Sequence, residues 1–436
     1  MSEPGWVEHA VWWQVYPLGF VGAYPAGAEA GTLSRITAWL DYAVELGASG
    51  IMLGPIFAAE THGYDTVDHH RIDPRLGTDA EFDALLAAAH KRGLRVLLDG
   101  VFNHVGRGHA AFRAVLAQGR AASTATWFQL TWPAAGAEPE YATFEGHGAL
   151  VALNHAEPAV ADYVVEVMTD WLRRGVDGWR LDAAYAVPTD FWAKVLPRVR
   201  ADFPDAYLVG EVIHGDYADF VVRSTVDSVT QYELWKATWS ALNAGNFFEL
   251  SWALERHNGF LDAFVPQTFV GNHDVTRLAS KLTDERDVIL ALALLLTVGG
   301  TPSIYSGDEQ GFQGVKEDRA GGDDAVRPAF PDQPAGLAPY GWPLYHRHQE
   351  LIGLRRRHPW LHRARTSTVH LTNEEFVYEA SDGDRKILVA LSVGAAPAEL
   401  PVPYGKAVLG GDAELKRPGS PDAAVVLPTH GWAVVS

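Results

Sequence analysis

The stretch 95–104 reads Arg95-Val96-Leu97-Leu98-Asp99-Gly100-Val101-Phe102-Asn103-His104, a short apolar run that ends in polar side chains. Three later segments share this arrangement, because each one ends or follows an apolar run. They are 178–182 (GWRLD), 210–212 (GEV) and 271–274 (GNHD). Short continuous apolar runs are typical of parallel strands that are buried on both faces. The polar residues of all four segments are therefore predicted to lie where buried strands end.

Candidate strands alternate with helix-like stretches along most of the chain. The strands are Trp13–Pro17, Gly50–Leu53, Arg95–Leu98, Gly178–Leu181, Tyr207–Val209, Ser228–Tyr232, Thr268–Val270 and Ser303–Tyr305. Apolar residues recur at three-to-four spacing in Leu33–Leu46, Asp79–Arg92, Ala159–Arg174 and Thr189–Arg200, which predicts helices. Eight alternating units predict an α/β fold of the (β/α)8 TIM-barrel type. The four polar segments then follow strands three, four, five and seven, at the barrel end that holds active sites.

Two regions depart from this alternation. Residues 105–155 lack it and contain several glycines and prolines, which predicts a short inserted loop domain after strand three. Beyond about residue 359, short strand-like runs separated by turn residues predict a small C-terminal β-sheet domain; the runs are Thr368–Leu371, Glu375–Glu379, Lys386–Val393 and Ala423–Leu427. The predicted division is therefore barrel 1–104, loop domain 105–155, barrel 156–358 and β domain 359–436.

The composition excludes several classes of protein. A net charge of −19 argues against a nucleic-acid partner, since phosphate binding requires clustered lysine and arginine. The absence of cysteine excludes disulfides, thiolate chemistry and cysteine-ligated zinc. The most apolar stretch, Val288–Val298, is too short to cross a bilayer, and the N-terminus lacks the pattern of a secretory signal. We predict a cytoplasmic protein with neither nucleic acid nor a membrane as its partner; the sequence leaves the oligomeric state open.

The four segments supply carboxylates, two histidines and an arginine. This set suits cleavage of a glycosidic bond, in which one carboxyl attacks and another donates a proton. Arg180 and Asp182 lie two apart on a strand and share a face, so the guanidinium is expected to keep the carboxylate ionised, as a glycosyl nucleophile requires. A purely structural ion pair explains these two residues equally well when they are taken alone.

The other residues of these segments have complementary expected tasks. Glu211, beside other carboxylates, is expected to have a raised pKa and to hold the proton that the leaving oxygen needs. Asp274 would stabilise positive charge on the sugar ring. For both carboxylates, capping or a helix dipole is the alternative. Asp99, His104 and His273 would hydrogen-bond sugar hydroxyls; a zinc site ranks lower, because the chain has no His-Glu-x-x-His motif.

Together the four segments resemble the signature regions of the α-amylase superfamily, which comprises retaining α-glucan glycosidases and transglycosidases. Trp13–Pro17, His62–Asp65, Asp73–Thr78 and Ile304–Glu309 extend the resemblance over about residues 10–310. It implies a barrel with a loop domain after strand three and a C-terminal β domain. It also implies that Asp182 is the nucleophile, Glu211 the general acid/base and Asp274 the transition-state stabiliser. The implied contacts with the cleaved sugar are Tyr64, by stacking, and Asp65, Asp99, His104, Arg180 and His273.

The chain also departs from this family's pattern. Many amylases carry a Lys-His pair shortly after the nucleophile, where this chain has Ala183-Ala184-Tyr185-Ala186. Many bind calcium through an aspartate whose place is taken here by Ala152, so that Asn103 remains as a single ligand. One ligand cannot satisfy a cation that takes six to eight oxygens. We therefore predict no metal and no cofactor.

These residues predict a retaining α-glycosidase that hydrolyses α-glucosidic bonds in short linear, branched or cyclic malto-oligosaccharides by double displacement. A transglycosidase or sucrose-type α-glucosyl transferase would use the same site with a sugar hydroxyl in place of water. A catalytically inactive carbohydrate-binding homologue is disfavoured, because all three carboxylates are present. Aromatic residues of the loop domain could supply stacking faces for a small ligand; they are Trp127, Phe128 and Trp132.

Overall fold

A computed structural model describes residues 3–25, 31–133, 138–319 and 321–436. Within these residues, eight parallel strands form a sheet in which strands that are neighbours in chain order pair, except β6 with β7, and β8 also pairs with β1. A parallel bridge between Thr230 and Gln267 joins the remaining two edges, so the sheet closes into the predicted barrel. The strands are β1 Trp12–Val15, β2 Gly50–Leu53, β3 Arg95–Gly100, β4 Gly178–Leu181, β5 Tyr207–Gly210, β6 Ser228–Val229, β7 Gln267–Phe269 and β8 Thr301–Tyr305.

Helices surround the barrel, and several have clear terminal signals. Helix Asp79–Lys91 begins with a capping box, in which the Thr78 hydroxyl accepts from the Glu81 amide and the Glu81 carboxylate accepts from the Thr78 amide. Helix Pro158–Arg174 has proline at its first position and ends at Gly175, whose φ is 117°. The other α-helices are Pro17–Phe20, Leu33–Ala38, Leu40–Leu46, Ala110–Gln118, Thr189–Asp202, Tyr217–Ser224, Tyr232–Ala244, Phe247–Phe260, Leu278–Lys281, Asp287–Thr297 and Trp342–Arg357.

One predicted helix, Leu33–Leu46, is in fact two helices that meet at Trp39. The Trp39 ring is fully buried beside Trp13, and its indole N–H donates to the Pro331 carbonyl at 3.1 Å. The backbone N–H of Trp39 bonds to Ile36 at 2.9 Å, a tighter turn than that of an α-helix. Packing of this side chain therefore breaks a stretch whose periodicity favours one helix.

The barrel interior changes character along its axis. Trp12, Leu97 and Tyr207 form an apolar layer with the N-terminal segment, and the rings of Trp12 and Tyr207 stack with centroids 6.3 Å apart. Two residues further along β3, the inward position is Asp99, which pairs in register with Arg180 of β4. Strand alternation thus fills one end of the barrel with apolar rings and directs charged groups into the other.

The segment after β3 forms small sheets of its own. His104–Gly106 pairs antiparallel with Leu150–Ala152, and Leu130–Thr131 pairs with Glu140–Tyr141. After β2, Phe57–Ala59 pairs with Thr66–Ile72. Within the described ranges, no helix is both long enough and apolar enough to cross a membrane.

The C-terminal part forms the expected β-sheet domain, and its strands pair antiparallel. One sheet contains Arg365–Leu371, Glu375–Asp382, Arg385–Ser392, Trp432–Val435 and Val408–Gly410, and the other contains Ala398–Pro401, Ala424–Leu427 and Glu414–Lys416. The strands that the sequence did not predict are only three or four residues long, too short for a clear alternation signal.

Candidate active site

The barrel brings the four sequence segments together at the carboxyl ends of its strands. Asp99 lies in β3 and Arg180 in β4, and the structure pairs these two residues directly. Asp182 and Glu211 come immediately after β4 and β5, while His273 and Asp274 follow β7. All of these side chains except that of Asp274 are less than a tenth exposed.

Arg180 is shared among three carboxylates. Its Nη1 donates to Asp99 at 2.6 and 2.8 Å and to Asp182 at 3.0 Å. Its Nη2 lies 2.7 Å from Oε1 of Glu211. One guanidinium therefore holds the side chains of three strands in fixed positions, and the cluster carries more acidic groups than basic ones.

This sharing corrects the expected electrostatics of Asp182. Burial raises the pKa of the Asp182 carboxyl well above its ordinary value, and the charges of Glu211 and Asp99 act in the same direction. Arg180 opposes them but does not outweigh them. Burial thus outweighs the lowering of the pKa that Arg180 was expected to provide, and the guanidinium is in addition divided over three acids. Burial likewise raises the pKa of Asp99 to about 6.

Glu211 is fixed from two further sides. The backbone N–H of Ala183 donates to its Oε2 at 3.0 Å, and the Tyr232 hydroxyl donates to its Oε1 at 3.1 Å. Asn272 in turn donates to the Tyr232 hydroxyl at 2.9 Å. Ala183, directly after Asp182, has a φ of 43°, a left-handed conformation that is strained for a residue other than glycine. Such strain is concentrated at functional sites.

His273 connects Asp274 with the floor of the cleft. Its Nε2 lies 3.0 Å from Asp274, and its Nδ1 lies 3.1 Å from the Gln14 amide nitrogen. Burial lowers the pKa of His273 to about 3, so the ring is neutral near pH 7; with Nε2 protonated toward the carboxylate, Nδ1 accepts from Gln14. The Tyr64 hydroxyl also contacts Nε2 and donates to Asp99 at 3.2 Å.

Asp274 has a second partner that sequence reasoning missed. Arg327 donates from Nη2 to Asp274 at 2.7 Å and from Nε to the His273 carbonyl at 2.9 Å. Burial alone would raise the pKa of Asp274, but His273 and Arg327 lower it below its ordinary value. Arg327 lies in the long connection after β8, far from any of the motifs, so no local pattern marks it. Tyr232, which was expected to end a strand, was also missed; it is instead the first residue of helix Tyr232–Ala244.

The other predicted contacts occupy different positions. His104 donates to the Tyr64 carbonyl at 3.0 Å and stacks on Phe144 at 4.8 Å, and burial lowers its pKa to about 4. Asp65 is 2% exposed and accepts hydrogen bonds from Thr61 within its own turn. It therefore shapes the turn that carries Tyr64.

Tyr64, His104, Asp182, Glu211 and Asp274 line a cleft with a volume of about 320 Å³. Phe144, Glu145 and Leu150 form the part contributed by the segment after β3. The expected stacking residues of that segment lie elsewhere: Phe128 is buried against Phe112, Trp127 packs on Tyr163 and Trp132 contacts Arg120. These three aromatic side chains therefore pack against other side chains of the protein and do not line the cleft.

The residues at the expected calcium position do not fit that cation. Ala152 pairs with His104 across the small sheet and offers a methyl group where a carboxylate would be needed. The Asn103 amide faces Nδ1 of His104 at 3.1 Å. Across the described part of the chain, no three His, Cys, Asp or Glu side chains lie together in a metal-binding arrangement.

Comparison with known proteins places the chain in a family. The model of the alpha amylase catalytic domain matches residues 14–375. A cyclomaltodextrinase from Geobacillus thermopakistaniensis is 32% identical over 92% of this chain and 72% of its own length. The debranching enzyme of Nostoc punctiforme, soaked with acarbose, has a similar structure, with a TM-score of 0.85, 28% identity and full coverage of both chains. So does a cyclic α-maltosyl-(1→6)-maltose hydrolase from Arthrobacter globiformis in complex with that sugar, with a TM-score of 0.85, 27% identity and full coverage of both chains. The chain therefore belongs to the alpha-amylase family of glycoside hydrolases.

Proposed function

We propose that this site hydrolyses α-glucosidic bonds in short malto-oligosaccharides with retention of configuration. The observation that carries the proposal is the convergence of Asp182 and Glu211, from adjacent strands, on one buried guanidinium. Retaining glycosidases need two close carboxyl groups with different tasks, and a buried, rigid pair meets that need. The resemblance of the four segments supports the same assignment.

The reaction has two steps. The Asp182 carboxylate attacks the anomeric carbon while Glu211 gives its proton to the glycosidic oxygen, so the C–O bond breaks and a glycosyl ester forms. Glu211 then takes a proton from water, whose oxygen attacks the same carbon and releases Asp182. The mechanism requires that Glu211 carries the proton and that Asp182 is ionised when the attack begins.

The neighbouring residues would bind and orient the sugar. Asp274, held by Arg327 and His273, stays ionised and stabilises positive charge on the ring. Tyr64 provides an aromatic face, while Asp99, His104 and His273 are proposed to contact hydroxyls. Asp65 acts through the turn that carries Tyr64, and Arg180 positions the carboxylates.

The relatives support the substrate class. They are named for cyclomaltodextrin and for a cyclic maltosyl-maltose, both of which contain α-linked glucose. We propose that linear, branched and cyclic malto-oligosaccharides are substrates and that water is the usual acceptor; the comparisons do not favour a transglycosidase. We also propose that the chain divides into a barrel, a loop domain, the rest of the barrel and a β domain, with the limits 1–104, 105–155, 156–358 and 359–436. We propose a cytoplasmic location as well.

An acid/base variant tests this mechanism. We expect Glu211→Gln to lose activity on maltotriose by several orders of magnitude but to retain glycosylation by an aryl glucoside with a good leaving group, which needs no protonation. Added azide should then accept the glucosyl group and yield α-glucosyl azide, whose configuration is read by NMR. Equal loss on both substrates without azide rescue would contradict the role of Glu211. A β-configured azide product would contradict the retaining mechanism.

A further inference from the structure

A second groove lies beside the catalytic cleft, between helices Tyr232–Ala244 and Phe247–Phe260. Its volume is about 620 Å³, larger than that of the cleft. We call it the helical groove and define it by the residues that carry the argument: Ile213, Tyr232, Trp235, Lys236, Trp252 and Arg256. None of the sequence motifs falls on these two helices.

The helical groove is continuous with the cleft. Ile213 and Tyr232 line both. Tyr232 bonds to Glu211 through its hydroxyl, and its ring meets Trp235 edge-on with centroids 5.9 Å apart. Ile213 follows Glu211 by two residues and is 39% exposed. Since the general acid contacts the oxygen that leaves, the surface beyond Glu211 faces the leaving portion of the substrate.

The groove contains an accessible aromatic platform. Trp252 is 61% exposed, which is unusual for an indole on a helix of a folded protein. The Arg256 guanidinium lies over its ring, 5.2 Å from the ring centroid. Aromatic faces combined with hydrogen-bonding side chains are suited to sugar rings, which present C–H faces and hydroxyl edges.

The charges of the groove indicate a neutral occupant. Among the described residues that line it, the charged side chains form two ion pairs, Lys236 with Glu249 and Arg256 with Glu233, the latter at 2.9 Å. The groove is thus locally neutral on a chain with a net charge of −19. A cationic or anionic partner would find no complementary charge there, whereas a polyhydroxyl chain needs none.

We propose that the helical groove binds the leaving-group arm of an α-glucan, with Trp252 stacking on a glucose unit outside the catalytic cleft. The inference rests on the proposed function, because it takes its direction from the role of Glu211. It makes Trp252 a residue that favours longer or branched substrates without taking part in bond cleavage.

Two substrates of different length test this role. For Trp252→Ala, we expect kcat/KM on maltohexaose to fall about three- to tenfold, chiefly through KM, as loss of one aromatic contact predicts. The kcat/KM on 4-nitrophenyl α-glucoside, whose leaving group contains no glucose unit, should stay unchanged. Trp252→Phe should restore most of the loss. Tyr404→Ala, which removes an aromatic side chain that is 59% exposed in the C-terminal domain, serves as the control and should change neither substrate.

The alternatives give different results. An unchanged kcat/KM of Trp252→Ala on maltohexaose, or an equal loss on both substrates, would overturn the inference. Sedimentation velocity tests the other occupant: a concentration-dependent dimer that Trp252→Ala abolishes would show that the groove binds a second copy of the chain. Failure of the wild-type enzyme to cleave either substrate would overturn the proposed function, and the inference with it.

Discussion

At the scale of single residues, the candidate site depends on how one arginine is divided. Arg180 contacts Asp99, Asp182 and Glu211, so each carboxylate receives only part of its charge. Breaking a buried network of this kind by removing one charged partner costs about 3–5 kcal/mol. Substitutions that retain the shape and the hydrogen bonds of these side chains are therefore the informative ones.

Asp182→Asn retains that shape and removes the proposed nucleophile. Because no covalent intermediate can then form, we expect kcat on maltotriose to fall by at least about three orders of magnitude. Circular dichroism and the melting temperature should remain close to those of the wild type. Asp162→Asn, an exposed carboxylate paired with Arg198, is the matched control and should retain full activity. Activity of Asp182→Asn above about a tenth of the wild type, a loss of only 1.4 kcal/mol, would contradict the assignment.

Arg327 acts on Asp274 through charge. Burial opposes ionisation of Asp274, and Arg327 is one of the groups that lower its pKa. In Arg327→Gln this pKa should rise, so a larger fraction of Asp274 is protonated as the pH falls. We expect the ratio of variant to wild-type kcat/KM to decrease from pH 7 to about pH 4.5.

The conservative variant separates charge from packing. Arg327→Lys retains a cation, so its activity ratio should vary less with pH than that of Arg327→Gln, even if its kcat is lower. A ratio that is the same at all pH values for Arg327→Gln would show that Arg327 acts only by packing against its neighbours.

At the scale of elements, strand ends were predictable and loops were not. Alternation and short apolar runs locate Asp99, Arg180 and Glu211, because a barrel strand fixes which face each residue occupies. Arg327, Tyr232 and Gln14 reach the site only through tertiary packing, for which the local sequence carries no period. The break at Trp39 has the same origin, since the packing of one ring outweighs helix periodicity.

The connection after β8 contains a buried carboxyl group, that of Glu309, whose protonation affects the stability of the fold. Glu309 accepts hydrogen bonds from the Tyr42 hydroxyl and from the Gly307 amide, both at 2.9 Å, and has no exposed surface. Burial raises the pKa of Glu309 from 4.5 to about 7. A raised carboxyl pKa means that the folded state holds the proton more tightly than the unfolded state. This stabilisation is fully present below about pH 4.5 and is lost as the pH rises through 7.

Glu309→Gln removes this titration. We expect its melting temperature, relative to the wild type, to be higher at pH 8 than at pH 5. The corresponding difference in the free energy of unfolding is at most about 3 kcal/mol, because burial raises this pKa from 4.5 to about 7. If the substitution also removes the hydrogen bond to Gly307, the melting temperature of the variant falls equally at pH 5 and pH 8. The difference between the two pH values is then unchanged. A pH-independent offset would show that Glu309 does not titrate between these pH values.

The segment between β3 and helix Pro158–Arg174 should hold without calcium. Between Val105 and Asn154 its acids are Glu138, Glu140 and Glu145, and two of them already have protein partners, Arg107 and Tyr185. Dialysis against EDTA should therefore change neither the melting temperature nor the activity. A decrease of several degrees that calcium restores and magnesium does not would reveal a calcium site in this segment.

At the scale of the whole molecule, the preferred substrate follows from how the parts enclose the cleft. The segment after β3 contributes Phe144, Glu145 and Leu150 to one wall, and the connection after β8 contributes Lys316, Asp323 and Arg327 to another. The resulting volume of about 320 Å³ is at the small end of the range for ligand pockets. Such a cleft suits a few sugar rings and restricts access by the interior of a long polymer.

We therefore expect short or cyclic malto-oligosaccharides to be cleaved with a higher kcat/KM than soluble starch. Since specificity is a ratio of these constants, the direct measurement is competition: maltotriose and starch in one reaction, with each consumed substrate followed by chromatography. Glucose and maltose should appear first, from the short substrate. A preference for starch by tenfold or more, with products of mixed length, would instead mean that the walls open to admit a polymer. In that case the walls of the cleft would not be what selects short substrates over long ones.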